Sequence, residues 1–140
     1  MRIWFWLCLI SLSLGFCEKS ISAEKQVMKV YRSPTCSCCE KWLVYMRQNG
    51  FSVEEILTSD LQGIKEKLGV PRDFQSCHTA VWKGYVIEGH VPLSEVSKLK
   101  GSPKVRGVSV PGMPRGTPGM EANGVEDPYT VQIFGKSPIK

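Results

Sequence analysis

Apolar and polar positions along this chain change period several times, and each change marks a predicted element. Val27-Met28-Lys29-Val30-Tyr31 is a short strand-like run. After Pro34, which ends extended pairing, a helix is predicted over 40–48, with Trp42, Leu43 and Met46 on one face; Asn49-Gly50 stops it, because glycine accepts the left-handed turn that closes a helix. Phe51 to Leu57 reads as a second strand, with Phe51, Val53 and one of Ile56 or Leu57 inward. Thr58-Ser59-Asp60 then offers caps for a helix over 61–68 that ends at Gly69 and Pro71. Strand, helix, strand, helix in this compass implies parallel strands joined by a right-handed crossover.

A hairpin follows, Thr79 to Trp82 and Tyr85 to Glu88 around Lys83-Gly84, and then a helix over 92–99 with proline in its first turn. The order β-α-β, then β-β-α, is that of a thioredoxin-like α/β fold. From Gly101 the composition shifts: strands are predicted within 105–110 and 129–134, flanking Pro111-Gly112-Met113-Pro114-Arg115-Gly116-Thr117-Pro118-Gly119-Met120-Glu121. A proline- and glycine-rich loop of that length inside one domain is uncommon unless it serves a function.

The first residues do not belong to that domain. Met1-Arg2, an apolar run from Ile3 to Phe16, and a polar stretch ending at Ala23 have the layout of a secretory signal peptide, with cleavage expected after Ala23. The apolar run is shorter than the roughly 20 residues a membrane span needs, so no membrane attachment is expected after cleavage. The expected mature domain is 24–140, in the periplasm. Its loss of Arg2, Lys19 and Glu18 lowers the net charge from +5 to +4, without a basic run, which argues against a nucleic-acid partner.

Cleavage also removes Cys8 and Cys17 and leaves Cys36, Cys38, Cys39 and Cys77. Four cysteines in an oxidising compartment ordinarily mean two disulfides, but three thiols clustered within four residues make an awkward framework. The cluster lies where a strand hands over to a helix, and amides at a helix start favour thiolate, hence nucleophilic attack or soft-metal binding. Cys36 and Cys39 form a C-x-x-C pair, the layout of a thiol-disulfide oxidoreductase, and Cys38 is one sulfur more than that chemistry requires.

On a thioredoxin-like template Cys77-His78 occupies the turn that faces the dithiol, where thioredoxins keep a cis-proline. His90 could reach the same end of the sheet, and Met113 and Met120 could close over it from the loop. Thiolate, imidazole and thioether together suit Cu(I), and four thiolates can bridge more than one ion. Zinc accepts cysteine and histidine but has little use for methionine, and adjacent cysteines are not iron-sulfur spacing.

Tyr31 to Trp42, Ser76-Cys77-His78-Thr79-Ala80, Gly84 to Pro92, and the loop Pro111 to Glu121 together resemble the domain-of-unknown-function family that includes the periplasmic CopG-type copper-resistance proteins. The likeness runs from about Met28 to Phe134, with four motifs in order. The resemblance implies a thioredoxin-like fold and a role in copper tolerance, as a binder or a copper-handling oxidoreductase, alongside other periplasmic copper-handling proteins. It implies copper held by Cys36, Cys38, Cys39 and Cys77, with His78, His90, Met113 and Met120 as further members of the site.

Overall fold

The computed structural model describes residues 27–139; the expected signal peptide and its cleavage site lie outside them. Among the described residues, six strands form one mixed sheet in the order β2-β1-β3-β4-β5-β6, with three helices and a short 3-10 turn at Arg72–Phe74. The strands are β1 Val27–Arg32, β2 Ser52–Leu57, β3 His78–Trp82, β4 Tyr85–Glu88, β5 Gly107–Ser109 and β6 Gln132–Phe134; the helices are α1 Ser37–Gln48, α2 Leu61–Leu68 and α3 Leu93–Lys98. The expected β-α-β and β-β-α order is present, as are the two strands added at the C-terminal end.

β1 runs parallel to β2 and antiparallel to β3; β3 and β4 form the hairpin, and β5 joins β4 in parallel. These directions decide where the chemistry sits. β1, β4 and β5 all end, and β3 begins, at one rim of the sheet. The segments that leave that rim carry Cys36 to Cys39, His90, the long loop, and Cys77.

One face of the sheet packs Met28, Val30, Ala80, Ile87 and Val108 against Trp42, Leu43 and Met46 of α1 and Val96 of α3. Burying a large aliphatic or aromatic side chain is worth about 1.5–3 kcal/mol, so the expected inward face of α1 secures that helix to the sheet. On the other face Val86 meets Val70 and Phe134. β2 is an edge strand, and there Val53 and Ile56 are only half-buried while Leu57 is exposed.

The caps explain most boundaries. Asp60 accepts from the Gly63 N–H at 3.0 Å and starts α2, and Gly69, at φ +74°, ends it. Lys83 and Gly84, both with positive φ, make the two-residue hairpin turn. α1 differs from its prediction, beginning at Ser37 rather than at residue 40. Cys36 is extended and takes the N-cap place, so Cys38 and Cys39 lie in the first turn of the helix rather than ahead of it. Nothing in Ser37-Cys38-Cys39 opposes helix, since proline is already behind at position 34.

Candidate metal centre

The cysteine turn is held from below by Arg32. Buried at the end of β1, it donates to the carbonyls of Ser33 at 3.0 Å, Cys36 at 3.3 Å and Pro34 at 3.5 Å, and pairs with Glu55. A guanidinium offers five donors in a rigid fork, which suits it to gathering several carbonyls of one turn. The turn then delivers three sulfurs to the start of α1. Cys36 and Cys39 are joined by a disulfide with Cα atoms 5.4 Å apart, and the free Cys38 Sγ lies 3.5 Å from Cys36 Sγ.

The fourth sulfur arrives from the entry to β3. The four Sγ atoms of Cys36, Cys38, Cys39 and Cys77 all lie within 4.8 Å of one another. A second group shares one of them: Cys77, His78 and His90 also place their ligand atoms within 4.8 Å. With the Cys36–Cys39 bond reduced, the donor set is sulfur-rich with imidazole at one side, and a soft ion fits it; in the bonded form only Cys38 and Cys77 are thiol donors.

Hydrogen bonds fix the imidazoles. His90 Nδ1 lies 2.8 Å from the Pro118 carbonyl, which can only accept, so Nδ1 carries the proton. In the neutral ring the Nε2 lone pair then faces Cys77 Sγ at 3.1 Å. Such an outer hydrogen bond is the usual means of orienting an imidazole toward a metal. His78 places Nδ1 3.5 Å from Cys77 Sγ; its ring lies against Trp42, and its buried Nε2 has no hydrogen-bond partner. Nδ1 is thus the ring nitrogen turned to the thiol, while the orphaned Nε2 lies on the other edge of the ring, a buried polar atom that packing alone does not account for.

Burial governs the charge states. It holds His78 well below the usual histidine range, helped by His90 and Lys65, and it lowers His90 against the opposing pull of the Pro118 carbonyl and Glu121. Burial, with the neighbouring Cys38, pushes the Cys77 thiol up to about 12. Metal-free at neutral pH, Cys77 is therefore a thiol donating toward His90, and an incoming cation must displace that proton.

The long loop closes over this rim as a strap. Ser76 forms a parallel bridge to Gly112, Thr117 Oγ1 donates to the Pro114 carbonyl at 2.7 Å, and Arg115 grips the Asp127 carboxylate with two guanidinium hydrogen bonds and a third from its backbone N–H. Gly119 has φ +84°, and a Cβ there would stand 2.8 Å from the Trp42 amide nitrogen and 3.2 Å from His90 Nδ1. The strap thus reaches the imidazole through the backbone of Pro118 and Gly119. Met113 is 54% exposed, and Met120 is half-buried with its backbone tied to Gly116 and Thr117.

Sequence reasoning did not single out Arg32, the Pro118 carbonyl, or a second charged group behind Cys77. There Glu88, fully buried, accepts from the Ser76 N–H at 2.7 Å and the Thr79 hydroxyl at 2.6 Å, and pairs with buried Lys65. Burial pushes the Glu88 carboxyl up, while Lys65 and the other donors oppose the shift. The available signal was a glutamate closing the apolar run Tyr85-Val86-Ile87 in a strand with no exposed residue.

Beyond the wall of the site, an open cleft of about 600 Å³ runs along α1 past Ser37, Lys41 and Tyr45 to Glu121 of the strap. No described helix is long and apolar enough to cross a membrane.

The family model described as "Protein of unknown function, DUF411" matches residues 74–120, which hold the Cys77-His78 turn, His90 and the strap. No curated protein sequence matches. Two solved structures named "Copper resistance protein copG", forms 2 and 1, align at 36% identity with TM-scores of 0.76 and 0.75. The alignments cover 82% of this chain, and 100% and 99% of those chains. With that identity over that span, the chain belongs to the CopG copper-resistance family.

Proposed function

We propose that this is an exported copper-handling protein that binds Cu(I) through the reduced sulfurs of Cys36, Cys38, Cys39 and Cys77 and serves copper tolerance. The observation that carries the reading is the meeting of four sulfurs within 4.8 Å, one of them from a distant turn. Cu(I) prefers thiolate and tolerates imidazole, which accounts for His78 and His90 at the edge of the cluster. Once Cys36 and Cys39 are reduced, four thiolates at one rim can bridge more than one ion. Met113 and Met120 complete the proposed ligand set from the strap. The names of the two CopG structures support copper as the metal, and the signal-like residues 1–23 support export.

The Cys36–Cys39 disulfide favours a second reading, a thiol-disulfide oxidoreductase. In that chemistry the reduced pair attacks a substrate disulfide, forms a mixed disulfide, and leaves the substrate as two thiols while its own two sulfurs join.

Anaerobic titration of the reduced protein with Cu(I) against a competing chromophore, with native mass spectrometry for the stoichiometry, tests the first reading. Cys77→Ser should weaken copper binding by more than the ~10–100-fold that outer partners of a metal site command. A C-x-x-C reductase would keep most of its insulin-reducing activity in the same variant. Reduced wild-type protein that ignores Cu(I) ends the copper reading.

A further inference from the structure

Cys77 and His78 lie between two residues, Ser76 and Thr79, that are tied to one carboxylate. Glu88 Oε1 accepts from the Ser76 backbone N–H at 2.7 Å, and Glu88 Oε2 accepts from the Thr79 hydroxyl at 2.6 Å. Lys65 crosses from α2 to hold both partners, reaching Thr79 Oγ1 at 2.9 Å and pairing with Glu88. Glu88 and Thr79 are cross-strand partners in the hairpin, so the carboxylate stands directly behind the segment it grips. Gly89 makes the approach possible: at φ +77°, a Cβ there would come within 2.5 Å of the Ser76 side chain.

The fold does not require an ion pair at this place. Both side chains are buried, and desolvating two charges is costly enough that apolar residues of similar volume are often as stable or more so. Val86 and Val70 already show what an apolar version of this face looks like. What the pair adds is directional, since a bidentate carboxylate fixes both ends of a four-residue segment and aliphatic packing cannot.

We propose that Lys65 and Glu88 are positioning residues that bracket Ser76 to Thr79 and so aim the Cys77 sulfur at the other three. The proposal builds on the copper reading above, but its geometric core concerns the metal-free protein. Neither side chain touches the metal; the pair acts through the turn.

The test compares two charge-neutral double variants of the reduced protein. Lys65→Met with Glu88→Gln keeps an acceptor for Ser76 and a polar partner for Thr79, whereas Lys65→Met with Glu88→Leu removes the bracket and preserves bulk. Alkylation by iodoacetamide, read separately at Cys77 and Cys38 by peptide mass spectrometry, reports on the metal-free turn. In the Leu variant Cys77 should react severalfold faster with Cys38 unchanged, and Cu(I) affinity should fall by roughly 10–100-fold; the Gln variant should behave like wild type. A Leu variant with wild-type Cys77 reactivity overturns the proposal. So does equal acceleration at both thiols, which is general loosening, or a Gln variant that matches Leu.

Should the Leu variant fail to fold, Thr79→Val removes one arm of the bracket alone, and unaltered Cys77 reactivity there is equally fatal. If wild-type protein binds no Cu(I), the copper reading falls and the alkylation comparison still decides the bracket.

Discussion

His78 and His90 are buried and held neutral by that burial, and this has a thermodynamic consequence. Both pKa values are lowered in the folded protein, so below the ordinary histidine value of about 6.5 the unfolded chain takes up protons that the folded one refuses. Above that pH the two states bind the same number and the rings contribute no slope. Metal-free protein should therefore lose stability as pH falls from about 6.5, by at most about 1.4 kcal/mol per pH unit for each ring. Thermal melts from pH 7.5 to 5 check the sum, to which the raised Glu88 carboxyl contributes in the opposite sense; NMR titration of the two rings isolates the imidazoles, and ordinary titration of both would overturn the expectation. Gly89 belongs at the same scale, since its missing side chain lets Ser76 sit against β4.

Among the elements, the strap and the start of α1 depend on each other. Gly119 packs on the first turn of the helix, and Pro118 supplies the carbonyl that orients His90. Gly119→Ala would force a side chain both into a left-handed conformation and against the Trp42 amide. A cost of roughly 1–3 kcal/mol is expected from the backbone alone. The variant should melt lower and be cut by protease within 111–121 faster than wild type; equal protection would place the strap's anchorage elsewhere. The elements were largely legible because their signals are local: Asp60 before α2, Gly69 after it, Lys83-Gly84 in the hairpin, Trp42 and Met46 on one face. The early start of α1 was not legible, because Cys36 caps without a side-chain hydrogen bond and leaves no residue-type mark.

For the molecule as a whole, sheet topology does what no short stretch could, bringing residues 36–39, 77–78, 90 and 111–121 to one rim. The convergence of the cysteines could be expected from a thioredoxin-like order, whereas the charges behind them could not. Arg32 and Glu55, or Lys65 and Glu88, lie 23 residues apart and meet only through packing. On the proposed copper reading the Cys36–Cys39 disulfide sets a condition at this scale: sulfurs bonded to each other are not thiolate ligands. Oxidised protein should take up less Cu(I) than reduced protein and recover its full capacity after reduction, which titration before and after a thiol reductant would show. Equal capacity in both states would remove Cys36 and Cys39 from the ligand set.

At the opposite rim, the Ile139 amide donates to the Gly84 carbonyl at 2.7 Å, tying the segment after β6 to the hairpin turn. The length of β3 and β4 separates that turn from the sulfurs. An affinity handle or fluorophore joined at the Lys83-Gly84 turn or beside Ile139 would start from the rim away from the sulfurs. Immobilised or labelled protein made that way keeps its reactive rim facing solution, whereas one joined through the long loop would obstruct it.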